Sequence, residues 1–473
     1  MDNETIGRRA FLQRCGAIAA TATVAADLKA AAAVPAVSGA ATGRPNIVYL
    51  HSHDTGRYLQ PYGYAVPAPN LQKLASEGVL FRRAFSAAPT CSPSRAALLT
   101  GQAPHSCGML GLVNHGFSLA QHPHHLAHTL KRGGYETAVV GVQHILLQEE
   151  LAGYDHNLKA GNRAATVAPA AVKFLREPRE RPFFFAVGFF ETHRPYPVPG
   201  PREDPRFALP PAPLADTPVT RADMAAYHAS VRVLDTAIGS ILDAIEQAGL
   251  SSNTLILYST DHGIAFPEMK VDLRDAGIGV SLIMRGPREF AGGKVVDALV
   301  SHLDVYPTLC DYAGLERPAW LEGKSMLPLL RGETKAIRDE LFAEVNYHAA
   351  YEPKRCVRTE RWKYIRNYGD YPKAVVSNVD DCPSKELWVQ HGWRERAVPR
   401  EQLYDLFFDP HEAHNLAGNA EHRAQLEEMR GRLDRWMQST SDPLLQGPVP
   451  APSGAKLNRP DQLSFTEERF TVP

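Results

Sequence analysis

Asn46-Ile47-Val48-Tyr49-Leu50-His51-Ser52-His53-Asp54-Thr55-Gly56 sets how the rest of the chain is read. Residues 46–50 are a short apolar run without alternation, which predicts a strand covered on both faces. The polar run that follows stands at the strand's carboxyl end, where open α/β sheets collect their ligands. The pattern recurs along the chain. Residues 136–141 predict a strand closing at Val142-Gln143-His144, and 183–190 one closing at Glu191-Thr192-His193. Residues 254–258 predict another, closing at Ser259-Thr260-Asp261-His262-Gly263, and 280–284 a further strand. Between them, 70–77 reads as a helix. So does 224–250, with Val231, Leu234, Ile238, Ile241, Leu242 and Ile245 at three- and four-residue steps. Strands alternating with helices imply an α/β fold, a mainly parallel sheet sandwiched by helices. A lone histidine is usually a satisfied core or surface residue. His53 with Asp54, His144, His193, and Asp261 with His262 stand instead at four strand ends, which converge in a parallel sheet.

A second stretch opens a helix with a cysteine. In Cys91-Ser92-Pro93-Ser94-Arg95-Ala96-Ala97-Leu98-Leu99-Thr100-Gly101, Pro93 suits a first helical turn. Ala96 to Leu99 favour helix, and Gly101 is a natural stop. Residue 91 then sits at a helix N-terminus, whose free N–H groups favour an anion, with Arg95 one turn on. The stretch resembles the signature C-x-P-S-R-x-x-x-L-x-T-G of the formylglycine-dependent sulfatases at every defining position. That family oxidises the cysteine to formylglycine and has an alkaline-phosphatase-like fold.

The resemblance runs over nearly the whole chain after residue 43, and within the family is strongest to the heparan N-sulfatase (N-sulfoglucosamine sulfohydrolase) subgroup. It rests there on Cys107-Gly108-Met109-Leu110-Gly111-Leu112, on Asp261-His262-Gly263-Ile264-Ala265-Phe266-Pro267, and on Leu403-Tyr404-Asp405-Leu406 through Asn415-Leu416. It implies that Asp54, Asp261 and residue 91 hold a divalent cation, and that Arg95 stabilises the hydrated aldehyde. His144 would assist proton removal from it, His193 would protonate the leaving atom, and Lys270 would bind a sulfate oxygen. Three positions depart from the family pattern. His53 replaces a first aspartate, His262 replaces an asparagine, and Val142 replaces a lysine. The family metal is calcium, which prefers oxygen donors. Imidazoles at 53 and 262 point toward manganese or zinc, with a hydrogen-bonding role behind the ligands as the alternative for His53.

The function implied is hydrolysis of a sulfate ester or sulfamate on a glycosaminoglycan-type carbohydrate. The alternatives are a phosphonate or phosphodiester hydrolase of the same superfamily and a catalytically silent carbohydrate-binding member. The implied partners are the sulfated carbohydrate, a formylglycine-generating enzyme and, as an option, a second copy in a homodimer.

The chain has 473 residues and a formal net charge of −1, which gives no general pull toward nucleic acid. Arg8-Arg9-Ala10-Phe11-Leu12 before an alanine-rich run resembles a twin-arginine signal peptide over residues 1–42. This implies the Tat export machinery and a periplasmic or secreted location. Asp27 and Lys29 interrupt the run, against a stable membrane span. The catalytic domain is expected over 43–330. A smaller α+β domain follows over 331–473, with short antiparallel strands at 341–345, 354–359 and 362–367 and a helix at 423–437. The tail after Pro448 is expected to be extended along the surface. Residues 163–178, 195–217 and 346–354 read as substrate-facing loops. An oxidising compartment permits disulfides among Cys107, Cys310, Cys356 and Cys382, with Cys356–Cys382 the first pair to consider.

Overall fold

The eight-stranded sheet has the order β4-β3-β5-β1-β6-β7-β2-β8. In chain order its strands are β1 (Asn46–Ser52), β2 (Val79–Phe85), β3 (Glu136–Gly141), β4 (His156–Leu158), β5 (Phe183–Gly188), β6 (Thr254–Thr260), β7 (Leu282–Arg285) and β8 (Lys294–Ser301). This computed structural model describes residues 43–473, so the twin-arginine segment and Cys15 lie outside the described residues. The long apolar runs are strands because both faces are covered. Along β5, Phe183, Phe185 and Val187 enter one core, while Phe184 and Ala186 enter the other. The first core is roofed by helices Pro69–Glu77, Ala164–Arg176 and Pro218–Gln247. The second is roofed by Cys91–Thr100, Leu126–Arg132 and Val305–Ala313. Burying one such phenylalanine contributes about 1.5–3 kcal/mol.

Only β7 runs against its neighbours, pairing antiparallel with β6 and β2. The sheet is therefore mixed but mainly parallel, as expected. Strands β2 and β8 are not legible as strands, because Arg82 and Arg83 break the apolar run of one and the other is half-exposed. Residues 163–178 are corrected from loop to helix. Pro169 suggests a break, but the alanine-rich face of Ala164–Arg176 packs beside the long helix. Residues 346–354 form the hairpin between the first two strands of a second sheet.

That sheet comprises β9 (Glu340–Tyr347), β10 (Tyr351–Thr359), β11 (Trp362–Asn367) and β12 (Glu401–Asp405), all antiparallel in the order β12-β11-β10-β9. Its period-two pattern splits two faces. Val357, Tyr364 and Leu403 meet Leu426, Met429, Leu433 and Met437 of helix Arg423–Ser439. Cys356, Ile365 and Tyr404 meet Val271, Leu273 and Ile278 of the first sheet's loops. Residues 43–473 lie in one compact unit, and Phe85 and Leu299 of the first sheet share a cluster with Leu341 and Ile365 of the second, so the two sheets share a continuous interior. Among the described residues no helix is long and apolar enough to cross a membrane. The five described cysteines are all buried free thiols. The Cys356–Cys382 disulfide is thus corrected: Cys356 faces the core between the sheets, whereas Cys382 caps helix Pro383–Gln390.

A buried charge cluster joins the sheets. Asp275 receives Lys363 at 2.6 Å and Arg358 at 3.0 Å, and Glu412 Oε2 accepts the Asp275 N–H at 2.5 Å. Burial pushes the Glu412 carboxyl up to about 7, against the pull of Lys363. The folded state therefore holds a proton that the unfolded state has released between pH 4.5 and about 7. This stabilisation is complete below the lower value and is lost as pH rises through the upper one. Glu412→Gln is expected to gain Tm relative to wild type across that window and to hold a constant difference above it, in thermal scans at stepped pH.

Candidate active site

The carboxyl ends of β3, β5, β1 and β6 lie side by side. Their registers align, His51 opposite Gly188 and Ser259, and Gly141 opposite Gly188. The crowding at Gly188 is severe: a Cβ there would lie 2.1 Å from the Val142 carbonyl and 2.4 Å from the His51 ring. Asp54 and His144 adopt left-handed backbone conformations with φ of 52° and 55°. Such strain in non-glycine residues clusters at functional sites.

Helix Cys91–Thr100 begins at the cysteine and ends on Gly101 in the left-handed region. No side chain caps its N-terminus, which leaves N–H groups free beside residue 91. Ser94 Oγ donates to the Asp261 carbonyl at 2.5 Å, and Ser92 Oγ accepts the Val113 N–H at 3.1 Å. These serines dock the helix against β6 and the pocket wall.

Asp54 and Asp261 are the centre, and both are buried. His53 Nδ1 lies 3.1 Å from Asp54 Oδ1 and 3.0 Å from Asp261 Oδ2. His262 Nε2 lies 3.3 Å from Asp54 Oδ1 and 3.3 Å from Cys91 Sγ. Arg95 donates to Asp261 Oδ2 at 2.9 Å and to the Ser52 carbonyl at 2.9 Å, rather than to Cys91. Lys270 Nζ lies 2.9 Å from Asp54 Oδ2 and 2.7 Å from Asp380 Oδ2. His193 Nε2 lies 3.5 Å from Lys270 Nζ and 3.8 Å from Asp380 Oδ1. His144 groups with His53 and Cys91, their nearest ligating atoms within 4.8 Å of one another. All nine residues singled out from the sequence therefore meet.

Charge explains the titration. Burial alone would raise both aspartates, but Lys270, His193 and His262 hold Asp54 low, and His262, Arg95 and His53 hold Asp261 well down. Despite burial, Asp261 and Cys91 raise His53 well above the usual histidine range, and Asp261, Cys91 and Asp54 lift His262 to about 9. Burial would also raise the Cys91 thiol, yet Lys270, His53 and His262 hold it well below its ordinary value. His144 and His193 are depressed, mainly by burial.

One ligating atom each of His53, Asp54, Cys91 and Asp261 also lies within 4.8 Å of the others. Two ionised carboxylates fit a divalent cation, whose charge would displace the protons that His53 and His262 otherwise hold and free their imidazoles to ligate. Three neighbours escaped the sequence reading. Asp380 comes from an irregular segment with no periodic signal, after a 3-10 turn at Val376–Asn378. His51 lies 2.6 Å from Arg95 Nη1. His302 bridges Ser94 and Ser259, and burial holds it near 3 and therefore neutral.

A family model described as "Sulfatase" matches residues 45–315, and one described as "N-sulphoglucosamine sulphohydrolase, C-terminal" matches 270–387. The chain belongs to the sulfatase family. It is 30% identical to human N-sulphoglucosamine sulphohydrolase, over 87% of this chain and 94% of that protein. It is 29% identical to an ulvan-active sulfatase of Formosa agariphila, over 84% and 76% respectively. Among solved structures it superposes with a TM-score of 0.67, at 20% identity, on a protein in complex with its substrate D-glucosamine-2-N,6-O-disulfate, covering 86% of this chain and 99% of that one. A 2-O GAG sulfatase gives 0.66 at 22% identity, covering 86% and 95%. These similarities establish the fold. As a sulfatase the chain is a sulfuric ester hydrolase, and the alkaline-phosphatase-like expectation holds.

The unconverted thiol offers a direct check. Cys91 is expected to alkylate at a rate changing less than about threefold from pH 7 to 9, where an ordinary thiol rises over tenfold. Cys107, Cys310, Cys356 and Cys382, which burial pushes up to about 12, are expected to stay unlabelled. Peptide mass spectrometry of chelator-treated, folded protein reads both.

Proposed function

We propose that the chain hydrolyses a sulfate ester or sulfamate on a glycosaminoglycan-type carbohydrate, with a glucosamine N-sulfate unit as first substrate. The observation that carries this reading is the convergence of Cys91 at a helix N-terminus with Asp54, Asp261 and Lys270. As formylglycine, residue 91 would supply a hydrated aldehyde: one hydroxyl attacks sulfur as the bond from sulfur to the leaving oxygen or nitrogen breaks, and the other then loses its proton and expels sulfate, restoring the aldehyde. Asp54 and Asp261, with His262 and His53, would hold a divalent cation, which would supply charge stabilisation to sulfate.

The remaining work falls to side chains. Lys270, held between Asp54 and Asp380, meets a sulfate oxygen and leaves Asp54 ionised. His144, neutral through burial, accepts a proton from residue 91. His193 donates from Nε2 to the departing oxygen or nitrogen, because its Nδ1 is engaged with the Arg194 carbonyl at 2.7 Å. Arg95 orients Asp261 and adds positive charge beneath the residue 91 hydrate. We further propose export by the twin-arginine route, which carries folded protein and suits a nucleophile installed before transport.

The imidazoles at 53 and 262 favour manganese or zinc over calcium. Elemental analysis of purified protein is expected to find stoichiometric transition metal. Stoichiometric calcium with no transition metal refutes this assignment.

Formylglycine-loaded protein is expected to release sulfate from glucosamine N-sulfate, with Cys91→Ala losing at least about 10³-fold. Release from phenylphosphonate alone would favour the phosphonate hydrolase, and silence toward all of them the binding member. Because His193 is depressed, its acid form fades as pH rises through a value below 6.5. The kcat/KM for glucosamine N-sulfate is expected to fall along that limb. His193→Gln is expected to flatten it while sparing 4-nitrophenyl sulfate, whose leaving group needs no proton.

A further inference from the structure

The pocket above residue 91 has a volume of about 870 Å³, far more than one sulfate needs. Its lining includes Cys91, His144, His193 and Lys270. It also includes His115, His348, Lys159 and Arg469, none of which the chemistry above uses. His348 is 92% buried by side-chain surroundings, being 8% exposed, and its Nδ1 has no hydrogen-bond partner. His115, also buried, spends its Nδ1 on the His348 carbonyl at 3.0 Å. Burial, then the nearby charges of His348 and Arg469, lower His115 to about 4, so these groups share one neighbourhood. Arg469 makes one hydrogen bond, Nη2 to the Phe465 carbonyl at 3.2 Å, and has no carboxylate partner among the described residues. Lys159 likewise has no ion pair there. The wall's acidic members are committed elsewhere, Asp380 to Lys270 and Glu149 to the Asn157 amide at 2.5 Å.

The tail that presents Arg469 is held firmly. Strands β13 (Lys456–Leu457) and β14 (Phe470–Thr471) pair antiparallel and close the loop between them. Buried Asn458 donates to Gln462 Oε1 at 3.0 Å, and Glu467 Oε1 accepts the N–H groups of Leu463 at 2.6 Å and Ser464 at 2.8 Å. The Asn458 N–H donates to the Ala349 carbonyl at 2.8 Å, beside His348, and Ser464 Oγ bonds Asp381, next to Asp380. Arg469, half-buried on the pocket wall without a carboxylate partner among the described residues, is free to pair with an anion that enters the pocket.

We propose that Arg469, with His348 and Lys159, forms a second anion subsite that binds a further anionic group on the substrate, apart from the sulfate being cleaved. This rests on the carbohydrate sulfatase reading and deepens it: the substrate carries at least two anionic groups. The second is either another sulfate on the same sugar or the carboxylate of a neighbouring uronate. Arg469 supplies a planar fork for either oxyanion, and His348 Nδ1 a buried hydrogen-bonding atom.

Calorimetry on the Cys91→Ala protein tests this without turnover. The probes are glucosamine N-sulfate, glucosamine 2-N,6-O-disulfate, and a uronate-linked glucosamine N-sulfate disaccharide. At least one doubly anionic probe is expected to bind about 10- to 100-fold tighter than the monosulfate, the scale of a charge-assisted hydrogen bond. Which one does so identifies the source of the anion. Adding Arg469→Gln is expected to reduce that preference to about twofold or less, and Arg469→Lys to restore part of it. Equal affinities for all three probes, or a preference unchanged by Arg469→Gln, overturns the subsite. Sulfate release from the same probes by formylglycine-loaded protein reports separately. A preference that persists without any release would refute the sulfatase reading and keep the subsite.

Discussion

Asp54 and Asp261 have almost no surface exposed to solvent, and an isolated buried carboxylate does not stay ionised. Here the pair is kept charged by cations from four positions, His53 and His262 beside both carboxylates, Arg95 on Asp261 and Lys270 on Asp54. His53 and His262 follow the carboxyl ends of β1 and β6, Arg95 comes from the helix beginning at Cys91, and Lys270 comes from the loop after β6. Removing one cation would leave an uncompensated buried charge, which is far costlier than losing a surface pair. The geometry of the active site is therefore also a condition of the fold around it. The same positive set draws the Cys91 thiol down, so the electrostatics that hold the carboxylates also prepare residue 91 to sit beside negative oxygen.

The sheet supplies the precision. β3, β5, β1 and β6 are adjacent and in register, so four strand ends deliver their polar residues to one place without long loops. β7, the antiparallel member, sits between β6 and β2. Lys270 depends on the second sheet. Its neighbour Val271, in the left-handed region at φ 65°, is packed against Cys356, Ile365 and Tyr404. Asp380, the other partner of Lys270, comes from the same C-terminal part of the chain. The C-terminal part of the chain thus helps to position Lys270 rather than standing apart from the site.

The serines of the cysteine stretch gain a physical meaning once the helix is placed. Ser94 reaches the Asp261 carbonyl and the buried His302, and Ser92 reaches Val113. Ser94 ties the helix to the segment after β6, and Ser92 ties it to the pocket wall at Val113. Beyond them the tail folds back through the β13–β14 ribbon and brings Phe465 and Arg469 to the rim. Composition suggested only an extended segment there. Side-chain to backbone bonds from Asn458, Gln462 and Glu467 are what give it a shape.

The sequence by itself determined the strands that end at His53, His144, His193 and Asp261 and the helix that begins at Cys91, while Lys270 and the grouping of the nine residues came from the family resemblance. Local signals suffice for the strands and the helix, because a continuous apolar run followed by polar residues, or a helix with an early proline ending in glycine, is written in neighbouring positions. Strand β2 with its two arginines, half-exposed β8 and the proline-containing helix Ala164–Arg176 lacked such signals. Tertiary structure alone decided the reversed direction of β7, the reduced state of Cys356 and Cys382, and the pairing of Asp380 with Lys270, 110 positions apart by number. It also decided the place of Arg469 on the pocket wall. These depend on contacts between distant segments, whose favourable energy exists only once the two sheets have closed on a common core.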